Sequence, residues 1–259
     1  MAMMNDEPME PGRGLARVTG LLFVVTALGF AGAFSVLSAT FEYPAILRQP
    51  TSHILQRFAE GGQALIVTWY ILTLSAVLLI PTAILLHRFL AHLGTPWMPV
   101  ATAFGVLAGL VQTLGLIRWV FLVPYLSDLY MNPASTASTK EAVDVVFQGF
   151  HRYAGAALGE HLGYLFVASW VLLASWAMLR TALFGRWVAY LGILSAAGIL
   201  VGVLEPAGLG MAVLINALGF ILFAVWLLAI AVRLLFPRST ERRLSPAPQG
   251  SESASPVGG

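Results

Sequence analysis

The chain has 259 residues, 58% of them hydrophobic and 10% charged, with a formal charge of +2. A soluble globular protein carries roughly 25% charged residues, so this composition excludes that class and indicates an integral membrane protein. Most basic residues are scattered at the ends of apolar runs and form no patch interleaved with aromatics despite a sequence pI near 9.2, which argues against nucleic acid as a partner, and the lack of cysteine removes disulfides, thiolate metal sites and a cysteine nucleophile.

Taken in order, residues 1–12 are rich in Pro and charge and read as a disordered tail. A transmembrane domain spans 13–236, and a Pro-, Ser- and Gly-rich tail covers 237–259. A helix needs roughly 20 apolar residues to cross a bilayer. Six stretches reach that length: Leu15–Ala39, Ala64–Leu86, Met98–Leu126, Tyr153–Leu179, Trp187–Leu204 and Leu209–Phe236. None alternates as a porin strand would, so the fold class is all-α, a bundle of six transmembrane helices. Arg13 and Arg17 precede the first stretch as in a signal peptide, but its apolar run outlasts the usual h-region, so it is read as a retained span.

Two outer loops carry short amphipathic helices. In the first, Thr51 or Ser52 caps a helix that ends at Gly61-Gly62, with Ile54, Leu55 and Phe58 on its apolar face. In the second, Ser138-Thr139-Lys140-Glu141 has the spacing of a capping box. Val143, Val146, Phe147 and Phe150 then follow at helical intervals. Two readings stay open for the pair: helices lying at the membrane interface, or lids over an outward-opening site.

Nine arginines fall on the side of the termini and only Arg48, Arg57, Lys140 and Arg152 on the other. The positive-inside rule then places both termini in the cytoplasm.

Polar residues inside the spans locate the candidate site. Arg118 lies amid apolar neighbours, and a guanidinium cannot shed its charge, so it needs a partner or water. Counted at about 1.5 Å per residue, Arg118, Glu160 and His161 lie about 30 Å from the cytoplasmic ends of their spans, Glu205 about 28 Å and Asn216 about 25 Å. Four helices thus bring polar groups to one outer layer, and Arg118 is expected to pair with Glu160 or, second, Glu205. Small residues spaced four apart, Gly105/Gly109, Gly155/Gly159/Gly163 and Gly198/Gly202, occur in the helices carrying this layer and predict close packing. Pro206 is expected to end the fifth helix just after Glu205.

Known catalytic patterns are absent. His151 and His161 stand ten apart, about 15 Å along an α-helix, which is not the one-turn spacing of a zinc helix. On that helix Glu160 would point about 180° away from His151. No metal site and no cofactor is assigned, although His161 with Glu205 and His53 remains open as a set drawn from separate elements. His87 and His92 are expected to be solvated.

The opening Ala16-Arg17-Val18-Thr19-Gly20-Leu21-Leu22 and the Arg-bearing third span resemble a family of small bacterial multispan membrane proteins known only as a domain of unknown function. Within it, the loop Phe41-Glu42-Tyr43-Pro44-Ala45-Ile46-Leu47-Arg48 and the segment Gly159-Glu160-His161-Leu162-Gly163-Tyr164 resemble a subgroup. The similarity covers about Gly14 to Phe236. It implies a multi-pass protein of the bacterial inner membrane with no established activity, so no catalytic residue carries over. Three functions stay open. The first is binding or transport of a small molecule, lipid or ion at a site of Arg118, Glu160, His161, Glu205 and Asn216. The second is an intramembrane acid–base or metal-assisted enzyme acting on a lipid-like substrate, and the third a structural or regulatory subunit.

Overall fold

The computed structural model describes residues 12–91, 95–181 and 183–237. The expected tails, apart from Gly12 and Pro237, and His92 lie outside the described residues. The described chain forms α1 (Arg13–Phe41), α2 (Thr51–Leu90), α3 (Met98–Leu116), α4 (Arg118–Met131), α5 (Ala137–Phe150), α6 (Gly163–Met178), α7 (Arg186–Val201) and α8 (Ala212–Leu235). No strand occurs among the described residues. Two joins reduce these to six membrane-length helices. The α3–α4 pair runs on as Met98–Met131, and α5 continues through a π-helical segment, His151–Leu162, into α6. This is the multi-pass all-α bundle that the hydropathy pattern predicts.

The spans form a closed ring in which α1 packs on α2, α2 on α3, α3 on α6, α6 on α7, α7 on α8, and α8 back on α1. Apolar burial does not drive association within lipid, so close backbone approach has to. The predicted small residues supply it. A Cβ on Gly159 would lie 3.0 Å from Gly115 Cα, and one on Gly198 would lie 2.9 Å from Gly219 Cα. Gly109 sits against the Ala76 carbonyl, where a Cβ would come within 2.9 Å. Two side-chain bonds add to the α7–α8 seam: Ser195 Oγ donates to the Gly219 carbonyl at 3.0 Å and Asn216 Nδ2 to that of Ile199 at 2.9 Å.

At the end of the ring away from Arg13, the two loop helices make a cap. The first is the opening of α2, set off by Gly62 at φ 53°, ψ −147°. That left-handed φ is open to glycine without the clash a Cβ would bring, and it turns the chain from cap to span where Gly61-Gly62 was expected to end the helix. Ile54, Leu55 and Phe58 are buried in a cluster with Phe41, Trp69, Trp119, Val143 and Phe147. The interface reading is therefore corrected for this helix, because its apolar face packs on protein rather than lipid. In α5 the face divides: Val143 and Phe147 are buried, while Val146 and Phe150 are exposed. Its cap also differs from the expected box. Thr136 Oγ1 accepts from the Thr139 amide at 3.2 Å, two residues before Ser138. Gln148 Nε2, donating to Thr51 Oγ1 at 2.9 Å, ties the two cap helices together.

This packing has a direct test by labelling. Single cysteines at Arg57 and Asp144, which are solvent-accessible, will react readily with a polar maleimide. Those at Phe58 and Phe147, each 2% exposed, will be protected. Equal reaction at all four positions would mean that the cap is not packed.

Candidate functional site

Beneath the cap lies a cavity of about 540 Å³ between α1, the loop at 43–48, α3, α4, the π-segment, α8 and the short 3-10 helix Gly202–Ala207. Its walls are apolar over most of their length, with Phe30, Phe34, Leu72, Phe220, Ile221 and Leu228. Polar groups gather at the cap end: Tyr43, Arg48, Gln112, Arg118, Glu160, Tyr164, Glu205 and Asn216. The cavity is not closed on the α1–α8 side. These helices meet at Gly20–Leu235 and at Phe30–Phe223, whose rings lie 6.4 Å apart. Further out, Ala31, Ser35 and Ser38 of α1 and Ile221 of α8 both line the cavity and are exposed. On this side the cavity therefore reaches the outer surface of the bundle, along the length of the spans.

Four of the five candidates from the sequence, Arg118, Glu160, Glu205 and Asn216, line this cavity. His161 does not. The shared depth was therefore informative, but depth fixes height along the bundle and not direction around a helix.

The expected Arg118–carboxylate pair is corrected. Among the described residues, no acidic oxygen lies within 4.0 Å of the Arg118 guanidinium. Arg118 is only 8% exposed, and Nη1 donates to the Gly115 carbonyl of its own turn. Its Cζ lies 5.2 Å from the centre of the Trp119 ring, a cation–π arrangement. Nε is buried without an acceptor. Opposite, the guanidinium rests on Gly155, where a Cβ would come within 2.8 Å of Cζ. Glycine at 155 thus leaves room for it, a second role for the small-residue stripe.

Glu205 pairs instead with Arg48, whose Nε donates to Oε1 at 2.9 Å with Nη2 on the same oxygen. Arg48 also donates from Nη1 to the Pro44 carbonyl at 3.2 Å. The bridge joins the 43–48 loop to the 3-10 helix across the polar end. With side chains 41% and 28% exposed, it is worth only about 0.2–1 kcal/mol. Arg48→Ala should therefore lower detergent-state thermal stability by no more than a few degrees. A loss above 10 °C, by scanning fluorimetry, would show that the bridge carries the cap.

Sequence reasoning missed Tyr43 and Arg48 because both lie in a loop outside the spans. Their signal was the apolar and Pro-containing run Phe41–Leu47, unusual for an exposed connection. Tyr43 sits edge-on to Trp69 at 5.3 Å and to Phe34 at 5.6 Å. Burial first, and then the Glu160 carboxylate, push its phenol up, so it stays a neutral hydroxyl. α-Helical phase turns His151 away from Glu160, but the segment from His151 to Leu162 is π-helical, with i→i+5 bonding. Each turn there takes more residues, so the 180° separation from Glu160 does not hold. His151 donates from Nε2 to the Leu47 carbonyl at 3.0 Å and stacks on Phe147 at 5.5 Å. His87, half-buried, has Nδ1 2.7 Å from Thr102 Oγ1. Among the described residues, no three His, Asp or Glu side chains form a group with metal-ligating geometry.

The family model described as Domain of unknown function (DUF4386) matches residues 18–231. No curated protein and no solved structure matches the chain.

Proposed function

We propose, for a chain that belongs to the DUF4386 family and takes no activity from it, that the protein binds a membrane-borne amphiphile. One observation supports this above the others: the cavity is apolar along its length, polar at one end, and open sideways between α1 and α8. Its volume of about 540 Å³ is within the usual range for one small-molecule ligand, about 300–1,000 Å³. An acyl or polyprenyl chain suits the walls, and its head would meet Tyr43, Gln112 and Arg118. Binding is preferred to acid–base catalysis because His161, the natural proton carrier of that reading, lies outside the lining.

Native mass spectrometry of the protein in mild detergent should show an adduct of lipid mass. Ala217→Trp, which fills the cavity from α8, should abolish the adduct while the protein stays folded. An adduct that persists unchanged in Ala217→Trp would place the ligand elsewhere and overturn the reading.

We also propose that the chain sits in a bacterial inner membrane with both termini cytoplasmic, so that the cap and cavity belong to the outer leaflet. The distribution of Arg88, Arg180, Arg186 and Arg233 against Arg48, Arg57 and Arg152 supports this orientation. Reporters fused after residue 90 and after residue 236 should be active only in their cytoplasmic form. Fusions near Gln49 and Ser135 should be active only in their external form, and the reverse pattern would invert the site.

A further inference from the structure

Resting on the amphiphile reading above, we infer that the head of the ligand is an anion, a carboxylate or a phosphate, held by the Arg118 guanidinium. Two arginines line the cavity. Arg48 is matched by Glu205, and Arg118 by no carboxylate among the described residues. Arg118 is buried, makes one hydrogen bond, to a carbonyl of its own turn, and has no acceptor at Nε.

The two unpaired charges of the cavity are not equivalent. Glu160 has no ion pair within 4.0 Å either, but a buried carboxylate can take a proton and become neutral. A guanidinium has no such escape, so its charge persists and calls for an anion. Its planar fork suits the two oxygens of a carboxylate or phosphate, and such charge-assisted bonds are roughly twice as strong as neutral ones. The fork is also held in place. Gly155 packs against one side, and the Trp119 ring lies 5.2 Å from Cζ. Little side-chain freedom is then left to lose when an anion docks. A free fatty acid and a monoacyl phosphate both present this chemistry on one apolar chain.

The test uses the full chain in nanodiscs with three probes of equal chain length: a fatty acid, a lysophosphatidic acid and a neutral monoacylglycerol. Quenching of tryptophan fluorescence or native mass spectrometry reads the affinity. At least one anion should bind ten-fold or more tightly than the neutral probe, and whichever is preferred identifies the source of the anion. Arg118→Gln should bring that preference close to one, whereas Lys140→Gln, an exposed change, should leave it intact. If Arg118→Gln does not fold, Gly155→Ala serves, since the added methyl displaces the guanidinium without removing it, and the preference should again fall. Equal binding of all three probes to the unaltered protein overturns the anionic head while leaving the amphiphile reading in place. Preference that survives both Arg118→Gln and Gly155→Ala overturns the role of Arg118. Failure of all three probes to bind sinks the amphiphile reading itself.

Discussion

Gly219→Val will unfold the α7–α8 seam and lower the detergent-state melting temperature by roughly 10 °C or more. A Cβ at 219 would fall 2.6 Å from the Ile199 nitrogen and 2.7 Å from the Gly198 carbonyl carbon. Both are backbone atoms of the facing helix, so no rotamer change relieves the clash and the helices must separate. Overpacking typically costs about 1–3 kcal/mol, and a backbone-to-backbone site belongs at the upper end. Separation also strains the bonds from Ser195 to Gly219 and from Asn216 to Ile199, each worth about 0.5–1.5 kcal/mol net. Gly32→Ala is the matched control, since nothing lies within 4 Å of its added Cβ. It should be neutral or mildly stabilising through helix propensity. Equal melting temperatures for Gly219→Val and Gly32→Ala would mean that the seam does not hold the ring.

Trp119→Ala will loosen the cap. Trp119 is 1% exposed and stacks on Trp69 at 4.6 Å with the planes 6° apart. It also meets Phe41 edge-on at 5.5 Å and Phe147 edge-on at 6.3 Å, and stacks on Phe58 at 6.0 Å. One side chain therefore touches α1, both parts of α2, and α5. Truncating a buried Trp costs about 3–5 kcal/mol, and aromatic pairs add about 0.5–1.5 kcal/mol each beyond area. Arg118 loses its ring as well. The melting temperature should fall by about 10 °C, and cysteines at Phe58 and Phe147 should become reactive toward maleimide. Trp119→Phe keeps part of the stacking and should lose less. Continued protection at both cysteines in Trp119→Ala would refute a cap centred on this residue.

The spans, the loop helices and the tight seams were legible because each is written locally. Apolar length marks a span, and residues at 54, 55 and 58 mark a helix face. Glycines four apart mark a place where two backbones meet. Arg118 stood out because a fixed charge amid apolar neighbours has to be accommodated wherever the chain folds. Its surroundings were not legible, since counting from a helix end gives height but no azimuth. His161 and Glu160 are adjacent, at nearly one height, and only Glu160 lines the cavity. The ion pair went to Arg48 because a loop folds back over the ring, a long-range event with no periodic signature. The π-helical stretch compounds this, since every angle reckoned from 3.6 residues per turn drifts across it.

The opening between α1 and α8 changes what affinity means for this site. For a ligand arriving from water, apolar burial would supply about 25 cal/mol per Å². A molecule entering sideways has already left water, and lipid tails are as apolar as the side chains that replace them. The phenylalanines of the wall therefore set the shape of the occupant but confer little preference for cavity over bilayer. Discrimination is left to the few groups that acyl chains cannot imitate: Tyr43, Gln112, Arg118 and Glu160. On the proposed amphiphile reading, a handful of polar atoms at the cap end decides, in a two-dimensional solvent rich in competitors, which lipid stays.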